Sequence, residues 1–328
     1  MSADVHQLPA ALLALAPELA NVAFPDESRA TCGTCPMVAE GFDPVHRCCT
    51  YHPDVPNFLV GRVLRRRGIG AEKMLARLDD LAGVESRGVG NSAERRERYL
   101  KDTAPAFGRT GQERCPFFVE GPLGCGIWED RNAVCRSWHC KHEKGPRGHR
   151  AWVSLRDVLS RAERVLADWC VRYGPAPLGV FTKKEHWVTW FLWCADAVDQ
   201  LDASKLGDAR LAGARISLLT HVARREAPLP NRIGEAVREA RTDGGRLRLG
   251  AYSLFDLREF PPEALVLLAA AGDGKAATDV ISEASAVLGR PVPHGLLDAL
   301  WHAGLVVDAD AEADEPDPPP LDLFQAGS

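Results

Sequence analysis

The chain has 328 residues, of which 45% are hydrophobic and 26% are charged, and this composition excludes a mostly disordered protein. A formal net charge of −5 excludes a globally basic nucleic-acid binder. No apolar run approaches the roughly 18 residues that span a bilayer, so we expect no membrane insertion.

The first 24 residues are predicted to be a short N-terminal segment. Residues 1–18 contain no Lys or Arg, and Pro9 and Pro17 bracket the apolar run 10–16, a pattern unlike that of a signal peptide. We therefore expect a cytoplasmic protein. A reducing compartment disfavours disulfides and favours metal ligation by cysteine.

Residues 25–150 are predicted to form a cysteine-rich metal-binding domain with a helical insert. Eight of the ten cysteines lie here in two groups of four, Cys32, Cys35, Cys48 and Cys49, then Cys115, Cys125, Cys135 and Cys140. Between the groups, apolar residues recur at helical spacing from 58 to 81. Asn57 is the expected N-cap of the first helix there, and Gly68 or Gly70 its expected end.

The residue types of the two groups indicate a soft metal. Thiolates suit zinc and iron–sulfur clusters and suit magnesium or calcium poorly. Proline follows Cys35 and Cys115 directly, as it follows a cluster ligand in bacterial ferredoxins, so we prefer an iron–sulfur cluster to zinc. Eight thiolates suffice for two four-thiolate sites or for one site with thiols to spare. Because adjacent side chains diverge in extended backbone, Cys48 and Cys49 are expected to serve different sites.

The second group carries the more specific pattern. It reads Cys-Pro-Phe at 115–117, Cys-Gly-Ile-Trp-Glu-Asp-Arg at 125–131 and Cys-Arg-Ser-Trp-His-Cys at 135–140. With the first group it resembles the CxxCxxCC cysteine-cluster family of the YkgJ type, over about residues 31–142. The family is described as a zinc- or iron-chelating domain, so the resemblance implies that the eight cysteines are metal ligands. Two departures are a twelve-residue spacer before Cys48 and Asn132 where proline is often found.

Charged and histidine residues accompany the second group. Arg131 and Arg136 either donate to thiolate sulfurs, offsetting their negative charge, or belong to a set of surface ion pairs. The sequence leaves both readings open. His139 and His142 flank Cys140, and we favour positions outside the ligand set for both.

Residues 151–241 are predicted to form a helical region. Apolar residues at three- and four-residue steps predict helices over 151–173 and 185–201, and further helices are expected over 208–225 and 231–241. Cys170 and Cys194 lie beside these apolar stripes. We predict that both are small buried hydrophobic residues rather than ligands.

Residues 242–307 are predicted to form a winged-helix-like module, followed by an acidic disordered tail over 308–328. A turn at 243–245 precedes a strand or hairpin over 246–257, then helices over 264–271, 278–288 and 293–302 and a short strand over 304–307. Thr278 is the expected N-cap of the second helix. This order is similar to that of winged-helix modules and of small modules of that shape that recognise peptides. The helix at 294–303 has no Lys or Arg, which favours a protein or peptide partner over nucleic acid.

The predicted fold is therefore mainly α with small β elements, and the predicted function is cytoplasmic metal binding by clustered thiolates. Flagellin lysine methylases carry a similar cysteine cluster, and this resemblance motivates a metal-dependent enzyme acting on a protein or peptide. A redox-sensing interaction module and a structural zinc scaffold are the alternatives. The sequence has no glycine-rich cofactor loop and identifies no catalytic residue.

Overall fold

The computed structural model describes residues 8–20, 35–50, 52–95, 97, 107–109, 114–121, 124–175, 182–272 and 274–310. Over this part the chain is mainly helical with small antiparallel sheets, as predicted. Cys32 and the acidic tail beyond Asp310 lie outside the described residues. None of the helices in the described residues combines the length and the apolar composition that a membrane span requires.

The described helices and strands are numbered here in chain order. The helices are α1 (Ala10–Leu15), α2 (Asn57–Arg66), α3 (Gly68–Asp80), α4 (Ala133–Ser137), α5 (Gly145–Tyr173), α6 (Lys184–Gln200), α7 (Ala209–Arg225), α8 (Glu263–Ala271), α9 (Ala277–Leu288) and α10 (Leu296–Ala303). The strands are β1 (Val55–Pro56), β2 (Val84–Glu85), β3 (Gly88–Val89), β4 (Phe118–Val119), β5 (Gly124–Cys125), β6 (Arg232–Glu235), β7 (Glu239–Asp243), β8 (Arg246–Gly250), β9 (Arg258–Phe260), β10 (Lys275–Ala276) and β11 (Val306–Asp308).

One hydrophobic core unites the N-terminal segment, the helical insert and the long helices. Leu12 of α1, Phe58 of α2, Trp152 of α5 and Phe191 of α6 are all buried in it. The insert between the two cysteine groups therefore packs on the helical region. Its α2 lies so close to α6 that a Cβ on Gly61 would stand 1.9 Å from the carbonyl oxygen of Phe191.

The helices predicted over 151–173, 185–201 and 208–225 are confirmed, with α5 beginning earlier, at Gly145. The cap of α2 differs from the prediction. Its N-cap is Pro56, and Asn57 is the first helical residue, with a buried side chain that donates to the carbonyls of Ser86 (3.0 Å) and Ala167 (3.1 Å). The amide NH2 of Asn57 thus fastens α2 to α5, while its oxygen accepts the N–H of Phe58 (2.7 Å) from within the first turn.

The end of α2 also differs. The helix ends at Arg66, ahead of the two predicted glycines, and Gly68 begins α3. Arg67 separates the two helices with a φ of 60°, a left-handed conformation that breaks the helical path.

The helix predicted over 231–241 is wrong. Arg232–Glu235 is the central strand β6, paired antiparallel with β10 and β11, and Glu239–Asp243 is β7, paired with β8. The partners of β6 lie some 40 and 70 residues further along the chain, and pairing with them outweighs the local helical spacing.

The C-terminal region has its own core, which includes Ile233, Leu249, Leu267 and Leu300. Two three-stranded antiparallel sheets, β10-β6-β11 and β7-β8-β9, stand with α8, α9 and α10 in this region. The helices predicted over 264–271, 278–288 and 293–302 match these three, although the N-cap of α9 is Ala276. Ala276 is both the last residue of β10 and the N-cap of α9, so the helix begins at Ala277 and Thr278 is already its second residue.

Candidate metal centre

Seven of the eight predicted ligand cysteines lie in the described part of the chain, and Cys32 lies outside it. The seven are free thiols, and each residue is partly exposed: Cys35, Cys48, Cys49, Cys115, Cys125, Cys135 and Cys140. Half-burial is the state in which a thiol can both reach a ligand and be shielded from bulk water.

Three short elements carry Cys115, Cys125 and Cys135. Cys115 lies in the turn before β4, and its carbonyl accepts a hydrogen bond from the N–H of Phe118 (3.0 Å). Cys125 lies in β5, opposite Phe118 of the neighbouring strand β4. Cys135 lies in the first turn of α4, where its N–H donates to the side chain of the N-cap Asn132 (3.1 Å). The chain thus brings three thiols to one region from a turn, a strand and a helix N-terminus.

The electrostatics of these three thiols are linked. Burial raises the pKa of Cys115 to about 12, and the neighbouring Cys125 contributes to the rise. Burial also raises the pKa of Cys135, with further contributions from Cys115 and Cys125. Burial is the main cause of both shifts and favours the protonated thiols, and Cys125 adds to the rise at both neighbours. A bound cation would replace those protons and reverse the effect.

The first group meets the second through Cys49. The N–H of Cys115 donates to the carbonyl of Cys49 (2.8 Å), although the two residues are 66 positions apart. A hydrogen bond between the Cys48 and Cys49 thiols is the largest factor that raises the pKa of Cys48, followed by burial. The two thiols lie together and do not diverge, because residues 44–50 form turns and not extended backbone, and their assignment to different sites stays a prediction.

Cys35 and Cys48 border a small apolar cluster. Its buried members are Met37, Phe42, Phe107 and Val134, and Trp138 and Phe255 pack against it with the two cysteines. The Trp138 side chain also donates a hydrogen bond to Cys48, which works against the rise of its pKa. The first group is therefore shaped by residues from both cysteine segments and from the C-terminal region.

The two arginines of the second group bond to backbone. Arg131 stacks over Trp128, 3.4 Å from the ring centroid, and donates to the carbonyls of Trp128 (3.0 Å) and Cys135 (3.1 Å). Arg136 donates to the carbonyls of Glu129 (2.8 Å) and Arg131 (3.4 Å). Burial lowers the pKa of Arg131 to about 10, an effect that Cys125 and Cys135 oppose. Arg131 therefore acts on the thiols as a nearby positive charge. Both guanidinium groups also stabilise the backbone between Trp128 and Cys135 through these hydrogen bonds.

Sequence reasoning missed Glu163, a buried acid on α5. It accepts a hydrogen bond from the N–H of Ala133, the first residue of α4, and burial raises its pKa to about 8. It also adds to the rise of the Cys135 pKa. A signal was present: Leu159 and Leu166, four residues before and three after it, place Glu163 on the apolar face of the helix.

The histidines beside Cys140 are well held. The ring of His139 packs on Trp152 of α5, with centroids 4.3 Å apart, and burial lowers its pKa to about 4. His142 is buried and touches Tyr252 of the C-terminal region. Both neighbours of Cys140 are therefore fixed by contacts with distant parts of the chain.

Cys170 and Cys194 are confirmed as buried members of the main core. The Cys170 thiol faces the carbonyl of Cys194 at 4.0 Å, and burial raises the pKa of Cys194. These properties are those of inert thiols.

The donor chemistry fits a thiolate-bound metal, but the side chains are not drawn around one point. Among the described residues, no three His, Cys, Asp or Glu side chains are grouped as they would be around a metal ion. No family model, no curated protein and no solved structure matches the chain. The resemblance to the cysteine-cluster family stays a prediction.

Proposed function

We propose that this chain binds a metal through clustered thiolates, an iron–sulfur cluster in preference to zinc. Cys115, Cys125 and Cys135 would supply three ligands, and Cys49 the fourth. The closeness of these three partly exposed thiols carries the proposal, since Cys125 adds to the effect of burial in raising the pKa of both Cys115 and Cys135. The backbone carbonyl of Cys49 accepts the Cys115 N–H, which brings the Cys49 residue beside this set.

Metal binding to this set would release the thiol protons and draw the side chains inward. The residues of the chain prepare that step. Arg131 lies near Cys125 and Cys135 and offsets the negative charge that thiolates bring, while Asn132 and Glu163 hold the N-terminus of α4. The remaining cysteines, Cys32, Cys35, Cys48 and Cys140, are the candidates for a second site.

The alternative is a closed structural zinc site. It is favoured by the contact of Cys115 and Cys125 with the main core, because a site against the core leaves less room for an open ligand position. The two versions differ in metal content and in sensitivity to oxygen, which only a redox-active cluster is expected to show.

The C-terminal region is proposed as the partner-binding part. Its three helices and the β10-β6-β11 sheet follow the order of a winged-helix-like module, and α10 carries no Lys or Arg. This composition favours a protein or peptide over nucleic acid. A protein or peptide is therefore the proposed substrate class if the metal site is catalytic.

Cysteine variants test the proposal. We expect Cys115→Ala and Cys135→Ser each to lower the bound metal below about a tenth of the wild-type content, because a four-thiolate site tolerates the loss of a ligand poorly. Metal content is measured on protein purified without oxygen. Cys170→Ala is the matched control and should retain the full metal content, since Cys170 lies in the helical core. Full retention in both ligand variants would refute the site.

A further inference from the structure

The connection between β8 and β9, residues 251–257, lies against both cysteine-bearing segments. We call it the β8–β9 loop. Tyr252 contacts His142, which is 110 residues earlier in the chain and two residues after Cys140. Phe255 packs on Phe42 with ring centroids 5.8 Å apart, beside Cys35 and Cys48. One loop of the C-terminal region thus reaches the surroundings of three candidate ligands.

Three hydrogen bonds fix His142 to this part of the C-terminal region. Its Nδ1 lies 2.8 Å from the Tyr252 hydroxyl, and its backbone N–H donates to Asp256 at 3.4 Å. Its carbonyl accepts a hydrogen bond from Arg258. Since His142 and Asp256 are both buried, these bonds are shielded from competition by water.

The network also fixes where its protons lie. Arg258 donates to both oxygens of Asp256, each at 3.0 Å, so this carboxylate acts as an acceptor. The Tyr252 hydroxyl has one proton and donates it to Asp256 (2.9 Å). His142 Nδ1 must therefore carry a proton and donate to Tyr252. Removal of one member leaves a buried polar group without its partner.

We propose that Tyr252 and Asp256 are positioning residues of the cysteine site, which hold the Cys140 segment through His142 while Phe255 closes the space beside Cys35 and Cys48. The positioning itself does not depend on metal binding, whereas its effect on a bound metal rests on the proposed function. The C-terminal region would then belong to the metal centre instead of being a separate reader. By thermodynamic linkage, a seated loop favours the loaded site, and a loaded site favours the seated loop.

The positioning is tested first on reduced, metal-free protein. Iodoacetamide alkylation is followed at each cysteine by mass spectrometry. We expect Tyr252→Phe and Asp256→Asn to speed alkylation of Cys140 by at least about fivefold, with a smaller rise at Cys48, because a buried hydrogen bond is lost. Cys115, Cys125 and Cys135 should change less than about twofold. Tyr173→Phe, at an exposed tyrosine, is the matched control and should change none.

Two results of the alkylation experiment would contradict the proposal. An unchanged Cys140 rate would overturn the positioning, and a uniform rise at all cysteines would show that the variants merely loosen the fold. Both results are obtained without metal, so they stand whether or not the chain binds one.

Cobalt(II) then tests the consequence. In wild-type protein we expect thiolate-to-cobalt absorption, and in Tyr252→Phe a changed spectrum with release to a chelator at least about fivefold faster. No thiolate–cobalt absorption in the wild type, together with no iron or zinc, would refute the proposed function and leave the alkylation result to decide the positioning. An unchanged spectrum and release rate in Tyr252→Phe would refute the linkage between the loop and the metal site, and would leave the function standing and the positioning to the alkylation result.

Discussion

The helical core and the cysteine-rich region hold their thiols in different ways. Cys170 and Cys194 lie on helices of 29 and 17 residues and are buried, whereas Cys125 and Cys135 lie on a strand of two residues and a helix of five and are partly exposed. Elements as short as these are not stable alone. The cysteine-rich region therefore depends on contacts from elsewhere. The structural element that carries a cysteine thus decides whether its thiol is buried and inert or exposed enough to be a candidate metal ligand.

The largest expected effect breaks the helical core. Gly61→Val places a Cβ 1.9 Å from the carbonyl oxygen of Phe191 and 2.8 Å from the Cβ of Ala195, so α2 and α6 must separate. We expect a loss of about 4 kcal/mol or more in the free energy of unfolding, measured by urea denaturation.

Gly213→Val on α7 is the matched control, because a Cβ there meets no atom within 4 Å. Its unfolding free energy should change by less than about 0.5 kcal/mol. Equal midpoints for the two variants would contradict the close packing of α2 on α6.

The next effect lies where the two regions meet, at Glu163. Burial raises its pKa from 4.5 to about 8. Between these values the folded protein keeps a proton that the unfolded chain has released, so stability falls as the pH rises through this window, by up to ~1.4 kcal/mol per unit. Glu163→Gln should remove the slope and gain about 3 kcal/mol relative to wild type between pH 5 and pH 8.

The comparison uses metal-free protein, with unfolding measured at each pH. Glu72→Gln, at an exposed position of α3, serves as the control and should leave the slope as in the wild type. A slope unchanged by Glu163→Gln would show that this carboxyl is ionised or hydrated in the folded protein.

The smallest expected loss of stability comes from removing the N-cap side chain of a helix, which we compare at α4 and α7. Asn132 accepts the Cys135 N–H at 3.1 Å, and Asp208 accepts the Leu211 N–H at 2.8 Å at the start of α7. Asp208→Ala should cost about 1 kcal/mol in unfolding free energy, and Asn132→Ala about 1 kcal/mol more, because its amide also donates to the Asp54 carbonyl (3.1 Å). Only Asn132→Ala should also speed alkylation of Cys135, by about threefold or more, because the five-residue α4 depends on its cap. If Cys135 were alkylated at the same rate in both variants, the proposed difference between the two regions would be wrong.

The sequence predicted what depends on local spacing. The helices α5 and α6 follow from apolar residues at three- and four-residue steps, and the burial of Cys170 and Cys194 follows from their place beside those stripes. The two groups of four cysteines and their candidate role are likewise visible in the sequence alone.

What the sequence did not predict depends on distant partners. β6 is a strand because β10 and β11 pair with it from far along the chain. Asn57 bonds to Ala167, and His142 bonds to Tyr252, each across 110 residues. No local pattern encodes these contacts, so the role of the β8–β9 loop beside the cysteines emerged only from the structure.

Metal analysis of wild-type protein purified without oxygen tests the central claim most directly. We predict a visible charge-transfer absorption, with iron and acid-labile sulfide in matched amounts. Colourless protein with about one or two zinc ions per chain would instead support the closed structural site. Protein with less than about a tenth of an equivalent of iron or zinc, far below the one ion that a four-thiolate site holds, would contradict metal binding by these cysteines.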